Sequence, residues 1–392
     1  MRIRVGDFRL EEADKKEIIS WLDTGRISEG PNVISFEKKW ADFVGVKHCT
    51  LVNSGTSALM AGLSALKHLK LIKEKTKVIT TPVTYTATSN AIVNSNLEPV
   101  YVDVDKETFA ITPENIKALL ENSDEDFSLI LPVHLMGYPA KMDEINKIAK
   151  EYNLKTFEDS AQAHGTFYNG KKTGSMSYLS IYSFYIAHNM QAGELGAVVT
   201  DDTELNRAVT KIKANGRMCD CGICTRNIKC KNENQPFDPR FTHEMIGYNF
   251  KTTEFAAILA LQQLKKVDEI IRKRQENVKY LNEGLEKFSN QLQLPIYSKD
   301  VSYLAYPVSI KDKKINRKNL CMNLEKEGVE TRPLFSCIPI QQPAYAHLKK
   351  KYEGKLPNAE YLGKNSFYIG CHQYLTQDDL DFIVNSIGKC LK

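Results

Sequence analysis

The chain has 392 residues, 42% of them hydrophobic and 26% charged, which is typical of a globular protein and excludes disordered and fibrous classes. Its length is long for one core and favours one large and one small domain. The 53 basic and 48 acidic residues give a formal net charge of +5 without a block of like charge, so nucleic-acid binding has little support. No apolar run approaches the roughly 18 residues of a membrane span, and the start is charged, so we expect a cytoplasmic protein without membrane contact.

The first predicted elements are two helices. Residues 8–25 have an amphipathic pattern, and a second helix runs from Ile34 to Val44 after the Gly30-Pro31 pair. From Cys49 onward short apolar strands alternate with helices. The strands are predicted at 51–53, 78–80, 100–102, 129–133, 155–157 and 181–184. This alternation predicts an α/β fold with a mainly parallel sheet covered on both faces.

The second half of the chain has a different organisation. The pattern dissolves over about 216–240 into Cys, Asn, Lys and Pro, which predicts an inserted loop that is functional or disordered. From Thr252 the sequence favours helix to about Phe288. We therefore expect a large domain over 1–255, a long bridging helix over 256–288 and a small C-terminal α/β domain over 289–392.

Nine cysteines are more than a cytosolic enzyme needs, and Cys219, Cys221, Cys224 and Cys230 crowd into the inserted loop. A reducing compartment disfavours disulfides, which leaves metal ligation or free thiols in a loop. Four thiolates could hold a [2Fe–2S] cluster or zinc, and the sequence does not separate these because both accept four cysteines.

Two short motifs indicate contacts with a bound cofactor, one with an anion and one with a ring nitrogen. Ser54-Gly55-Thr56 lies at a predicted strand-to-helix turn, where backbone amides and hydroxyls can bind a phosphate, although in isolation a serine helix cap is the better interpretation. Asp159 follows the strand at 155–157, at the sheet edge where α/β proteins bind ligands. A carboxylate there can keep a pyridine cofactor protonated, the alternative being a helix cap. For His164 we favour a hydrogen-bonded structural role.

Taken together, the motifs resemble those of the DegT-type sugar aminotransferases, which act on nucleotide-linked keto-sugars. The matching segments are 30–31, 36–37, 54–56, 84–88, Asp103, His134, Gly137, 158–159, 183–184, 193–194 and 247–249. The resemblance covers nearly the whole chain, and the order and spacing of the segments are more specific than any one of them. It implies an aspartate-aminotransferase-like fold, pyridoxal phosphate (PLP) fold type I, with a large mostly parallel sheet domain and a smaller C-terminal α/β domain.

The same resemblance implies roles for individual residues. The implied cofactor contacts are Gly55, Thr56 and Ser183 at the phosphate, Tyr85 on the ring, Asp159 at its nitrogen and Gln162 near its phenolic oxygen. Asn249 would reach the phosphate held by the neighbouring subunit, which implies a homodimer with shared active sites.

One position departs from the aminotransferase pattern. His188 stands where these enzymes carry the Schiff-base lysine, and no lysine lies between Lys172 and Lys211. An imidazole can move a proton but cannot hold an aldehyde covalently, so the cofactor is expected as pyridoxamine phosphate (PMP). This exchange is similar to the sugar 3-dehydratase branch of the family, which acts on GDP- and CDP-linked 4-keto-6-deoxy sugars. Segments 356–361 and 368–373 also resemble that branch.

The resemblance therefore implies deoxysugar biosynthesis, with His188 as the acid and base that removes the C3 hydroxyl of the sugar. After water loss, the cofactor is either restored by an amino donor such as glutamate or receives electrons from a reductase through an iron–sulfur cluster. Arg332 and His372 are candidates to bind the diphosphate or the sugar, with surface salt bridges as the alternative. Two other interpretations are an aminotransferase that uses another lysine and a catalytically inactive regulatory protein.

Overall fold

A computed structural model describes residues 2–221 and 236–391. The strands are β1 His48–Val52, β2 Lys77–Thr80, β3 Glu98–Tyr101, β4 Phe127–Leu131, β5 Lys155–Asp159, β6 Phe167–Tyr168, β7 Lys171–Lys172, β8 Leu179–Ser183, β9 Gly196–Thr200, β10 Leu292–Gln293, β11 Tyr306–Ile310, β12 Arg332–Pro333 and β13 Ser366–Ile369. The helices are α1 Glu12–Leu22, α2 Pro31–Val44, α3 Gly55–His68, α4 Ala87–Asn94, α5 Pro113–Glu121, α6 Met142–Glu151, α7 Thr203–Ile212, α8 Glu254–Leu264, α9 Val267–Leu285, α10 Arg317–Glu327, α11 Ile338–Gln341, α12 Lys349–Tyr352, α13 Pro357–Asn365 and α14 Gln377–Cys390.

The larger sheet has seven strands in the order β1-β9-β8-β5-β4-β2-β3. Strand β9 pairs antiparallel with both of its neighbours, and the pairs among β8, β5, β4, β2 and β3 are all parallel. All five residues of β8 and four of the five residues of β4 are buried, as expected for a sheet covered on both faces. The predicted α/β fold with a large, mostly parallel sheet is confirmed.

A second, antiparallel sheet of four strands in the order β10-β11-β13-β12 forms after residue 291. Helix α14 packs on α9 and on α10, and its Leu380, Ile383 and Ile387 are buried. The C-terminal part thus has its own sheet with helices against it. The domain bounds 1–255, 256–288 and 289–392 stay a prediction.

Two helices differ from the sequence-based expectation. Helix α1 is shorter than the predicted 8–25, because a capping box between Glu11 and Asp14 fixes its start at Glu12. The stretch predicted as one helix to Phe288 contains α8 and α9, with a break at Lys265-Lys266. The break falls where the pattern changes, since α8 is apolar on most faces and α9 has charged residues on one side.

The inserted loop is described only in part. Residues 216–221 and 236–240 contain no helix or strand. Among the described residues, no helix is long and apolar enough to cross a membrane.

Candidate active site

The site lies at the carboxyl ends of two neighbouring parallel strands, β5 and β8. Asp159 is the last residue of β5 and pairs with Ile181 of β8, and Ser183 ends β8 two residues further on. Because parallel strands end at the same edge of a sheet, their terminal side chains are brought together there. This edge therefore carries Asp159, the predicted contact of the ring nitrogen, and Ser183, one of the predicted contacts of the phosphate.

The Asp159 carboxylate is buried and receives hydrogen bonds only from neutral groups. Thr88 Oγ1 donates to Oδ2 at 2.9 Å and the Ala161 N–H donates to Oδ1 at 3.1 Å. Burial raises the pKa of Asp159, and the bonds from Ala161 and Thr88 lower it only in part. Within the described residues it has no lysine or arginine at ion-pair distance. A buried carboxylate without a cation is suited to pair with a protonated pyridine nitrogen.

The end of β5 is held by a buried hydrogen-bond network around Glu158 that the sequence did not reveal. Glu158 accepts from His134 Nε2 at 2.9 Å, from the Gly174 N–H at 2.9 Å and from the Met176 N–H at 3.0 Å. His134 Nδ1 accepts from the Ala140 N–H, so the proton resides on Nε2. Burial opposes ionisation, yet these contacts hold the pKa of Glu158 below its usual value. The neighbouring Asp159 is thereby fixed at the site.

The predicted phosphate contacts form a cradle at the N-terminus of α3. Ser54 caps the helix by accepting from the Ser57 N–H, so the cap and the cradle coexist. The N–H groups of Gly55 and Thr56 have no hydrogen-bond acceptor in residues 2–221 and 236–391. A Cβ on Gly55 would lie 2.6 Å from Ser183 Cβ and 3.0 Å from Ser183 Oγ. The absent side chain lets Ser183 approach the N-terminus of α3, so that its hydroxyl lies beside backbone amides that can bind an anion.

Replacing Gly55 by alanine should therefore weaken cofactor binding, because the added methyl group displaces Ser183 from the cradle. We expect the dissociation constant of PLP from the apoprotein to rise by at least about 10-fold, measured by fluorescence titration. Gly62→Ala is the matched control, since its Cβ would meet Phe157 and Leu179 in the core behind the same helix. That variant should lose thermal stability but keep its PLP affinity. Equal affinity in the Gly55→Ala protein would contradict the assignment.

Gln162 and Tyr85 are two further predicted contacts of the cofactor. Gln162 Oε1 accepts from the Met136 N–H at 3.0 Å, which leaves its Nε2 as a donor without a partner among the described residues. Tyr85 is 62% exposed and touches Phe335 only edge-on, with ring centroids 6.1 Å apart. The Tyr85 carbonyl accepts from the N–H of Thr88, the residue that also binds Asp159. Tyr85 is thus linked to Asp159 through Thr88, and Gln162 lies three residues after Asp159 with its amide donor available.

His188 lies in the loop after β8, half-buried. Its Nδ1 is 2.6 Å from the Ser183 carbonyl, which can only accept, so Nδ1 carries the proton and Nε2 has its lone pair available. Burial lowers the pKa of His188 to about 4; the bond to Ser183 acts against this, and the Arg274 charge acts with it. The ring is therefore neutral near pH 7 and can act as a base.

His164 is fully buried and lies flat against Phe184, with ring centroids 5.1 Å apart. By strict geometry neither ring nitrogen has a hydrogen-bond partner within the described residues, but the Ser183 backbone interacts with the ring and raises its pKa, so the expected hydrogen-bonded role stays a prediction. Burial is the main cause that lowers the pKa of His164 well below its usual value. This histidine is a packing residue behind His188.

Three predicted residues are not joined to this cluster within one chain. Asn249 is exposed, and only its backbone pairs, with Ala214. Arg332 is half-exposed and binds Glu330. His372 is buried, and burial, with Arg274 as a second cause, lowers its pKa to about 4. No contact in the described residues links Arg332 or His372 to Asp159.

The predicted cysteine site is described only in part. The sulfur atoms of Cys219 and Cys221 lie 2.7 Å apart. Cys224 and Cys230 fall outside the described residues. Among those that are described, no three metal-ligating side chains converge.

The fold and this edge of the sheet define a PLP-dependent enzyme of the aminotransferase fold type. Residues 9–388 match the DegT/DnrJ/EryC1/StrS aminotransferase family, and the chain belongs to this family of PLP-dependent, sugar-modifying enzymes.

The curated relatives differ in the activities that their names give. The chain is 33% identical to lipopolysaccharide biosynthesis protein RfbH of Salmonella typhimurium, over 98% of this chain and 90% of the relative. It is 33% identical to dTDP-4-dehydro-2,6-dideoxy-D-glucose 3-dehydratase of Saccharopolyspora spinosa, over 99% of this chain and 86% of the relative. It is 29% identical to GDP-perosamine synthase of Caulobacter vibrioides, over 100% of this chain and 98% of the relative.

Solved structures show the same division. The aminotransferase PseC of Helicobacter pylori superposes with a TM-score of 0.88 at 25% identity, over 100% of this chain and 99% of that one. GDP-4-keto-6-deoxy-D-mannose 3-dehydratase of E. coli, solved with bound hydrated PLP, gives a TM-score of 0.87 at 27% identity, over 98% and 99%. The comparisons thus do not choose between dehydratase and aminotransferase.

Proposed function

We propose that this protein is a PMP-dependent dehydratase that removes the C3 hydroxyl of a nucleotide-linked 4-keto-6-deoxy sugar, in deoxysugar biosynthesis. The observation that carries this proposal is His188, a neutral imidazole whose Nε2 has no hydrogen-bond partner among the described residues, in the loop between β8 and β9. A dTDP-sugar 3-dehydratase and a GDP-sugar 3-dehydratase among the relatives support the reaction class.

Three of the lysines nearest to His188 in sequence, Lys172, Lys211 and Lys213, have other partners. Lys211 pairs with the carboxylate of Glu244. Lys172 donates to the Phe43 carbonyl. Lys213 is buried, donates to the Leu51 carbonyl at 3.0 Å and pairs with Glu29 at 3.1 Å. Burial opposes its charge, but the carboxylates of Glu37 and Glu29 raise the pKa of Lys213. A protonated, ion-paired amine is a poor nucleophile, which supports a mechanism without a covalently held cofactor.

The proposed reaction divides its tasks among four residues. When bound, PMP supplies an amine that joins the C4 ketone and a ring that accepts electrons. Asp159 keeps the ring nitrogen protonated, and Gln162 Nε2 donates toward the phenolic oxygen. His188 Nε2 takes a proton from the C4′ carbon of the cofactor and then protonates the leaving C3 hydroxyl. Tyr85 covers the open face of the ring.

An aminotransferase is the second candidate, because GDP-perosamine synthase and PseC match as well as the dehydratases do. Borohydride reduction distinguishes the two. A lysine-bound cofactor would be fixed to the chain and detected as a mass increase of one peptide. We expect no modified peptide from this protein, with a lysine-containing relative reduced in parallel as the positive control. A labelled lysine would favour the aminotransferase.

The fate of the dehydrated sugar depends on the electron source. In the hydrolytic route, ammonia is released and an amino donor such as glutamate restores the cofactor; GDP-4-keto-6-deoxymannose 3-dehydratase has been solved with a trapped PLP–glutamate geminal diamine. In the reductive route, Cys219 and Cys221 with Cys224 and Cys230 would hold a [2Fe–2S] cluster and receive electrons from a reductase. Iron and acid-labile sulfide in anaerobically purified protein would decide for the second route.

The proposal includes a homodimer in which each copy completes the other's site. Asn249 is exposed in one chain although the family resemblance places it at a phosphate. Nearby Phe241 and Ile246 are 77% and 94% exposed, and such apolar side chains are typical of a surface covered by a partner. Sedimentation of the purified protein tests the dimer, and dissociation should release the cofactor.

A further inference from the structure

The loop that carries His188 is anchored by the side chain of the next residue, Asn189. Asn189 is fully buried, and its Nδ2 donates to two successive carbonyls, Ser302 O at 2.9 Å and Tyr303 O at 3.3 Å. On the other side, the Ser183 carbonyl accepts from the His188 ring. The imidazole is thus held at its own Nδ1 and through the backbone directly after it.

The carbonyls that Asn189 binds belong to a strained turn formed by Ser302, Tyr303 and Leu304, called the 302–304 turn. Tyr303 has φ 47°, a left-handed conformation that is uncommon for a residue other than glycine. Arg274, fully buried, stabilises the turn by donating from Nη1 to Leu304 O at 2.7 Å and to Tyr303 O at 3.3 Å. One amide and one guanidinium therefore share the three carbonyls of this turn. Strain of this kind persists where the surroundings fix it, often at functional sites.

The same turn also contacts the other side of the cofactor site. The Leu304 N–H donates to Met136 O at 3.1 Å, and the Met136 N–H donates to Gln162 Oε1 at 3.0 Å. Gly137 packs so closely that a Cβ there would lie 2.9 Å from Tyr303 N. Through these contacts the turn holds the segment that orients Gln162 as well as the loop of His188.

We propose that Asn189 is a positioning residue for His188. Its side chain ties the His188 loop to the 302–304 turn, which Arg274 stabilises. The inference rests on the proposed function for the reaction that His188 performs. Its geometric part concerns the apoprotein alone. Small displacements of a catalytic group can reduce turnover by on the order of 100-fold, so an anchor one residue away has a large effect on the reaction.

The test uses ¹⁵N-histidine NMR of the full-length apoprotein, in which the His188 signal is assigned by its loss in His188→Asn. We expect wild-type His188 to be a single Nδ1–H tautomer. In Asn189→Ala, and in Asn189→Asp, which keeps the volume but cannot donate, we expect a mixture of tautomers. With substrate, kcat should fall about 10- to 100-fold with little change in KM. If the alanine variant does not fold, Asn189→Ser is measured in the same way.

Asn115→Ala is the control, because Asn115 Nδ2 also donates to a backbone carbonyl, Asp103 O at 2.9 Å, beside the far edge strand β3. It should lower thermal stability without changing the His188 signal. A wild-type tautomer and wild-type kcat in both Asn189 variants would overturn the inference and leave the dehydratase proposal intact. If the tautomer changes while wild-type protein eliminates no water, the positioning role stands and the proposed function fails.

Discussion

Replacing His188 by asparagine should abolish water loss from the sugar while the cofactor stays bound. Asparagine has no group that titrates, so it cannot take the C4′ proton or protonate the leaving hydroxyl. General acid and base catalysis contributes on the order of 10²- to 10⁴-fold, and we expect turnover to fall by at least that much. The contacts of Gly55, Ser183 and Asp159 are unchanged, so the near-ultraviolet absorbance of bound PMP should persist.

His48→Asn serves as the control for that substitution. His48 hydrogen-bonds Thr203 at 2.9 Å and lies at the start of β1, away from the site edge. The control should retain both turnover and cofactor. Unchanged turnover in His188→Asn would refute the proposed mechanism.

Replacing Asp159 by asparagine should have opposite effects on the apoprotein and on cofactor binding. The buried carboxylate has a raised pKa, so near pH 7 its ionised form destabilises the folded apoprotein, and an uncharged amide removes that penalty. Apoprotein melting should therefore stay the same or rise. Cofactor affinity should fall at least about 30-fold, since breaking one side of a buried charge pair costs roughly 2 kcal/mol or more. Calorimetry with and without PLP measures both effects.

Asp105→Asn should show the opposite pattern. Asp105 Oδ1 accepts from the N–H groups of Glu107 and Thr108 in a surface turn. Its replacement should lower the melting temperature slightly and leave cofactor affinity intact. An Asp159→Asn protein that binds PLP as tightly as wild type would show that this carboxylate does not contact the ring nitrogen.

The sheet was predictable because short apolar strands alternate with helices, and a parallel sheet places their carboxyl ends on one edge. That edge brings Asp159 and Ser183 together. Strand β9 was not predicted, because Gly196–Thr200 is short and follows a segment dominated by the His188 motif. The single helix predicted over 256–288 misses the break at Lys265, since each half separately has a helical pattern.

The residues that hold the site in place were less predictable than the residues expected to contact the cofactor. Thr88 binds Asp159 across 71 residues of sequence, and its only signal was membership of the Thr84–Thr88 motif. Asn189 could not be assigned a role, because its acceptors depend on the left-handed backbone of Tyr303, more than a hundred positions away. Such contacts arise from packing between the two parts of the chain, which local patterns do not contain.

The central claim is loss of the C3 hydroxyl, and mass analysis of the product tests it most directly. The protein would be incubated with PMP, glutamate and GDP-, CDP- or dTDP-linked 4-keto-6-deoxy sugars, with His188→Asn as the blank. The account predicts a product that has lost the C3 oxygen and has gained no amino group. A product that retains the C3 oxygen and carries a new amine at C4 would contradict it and identify an aminotransferase.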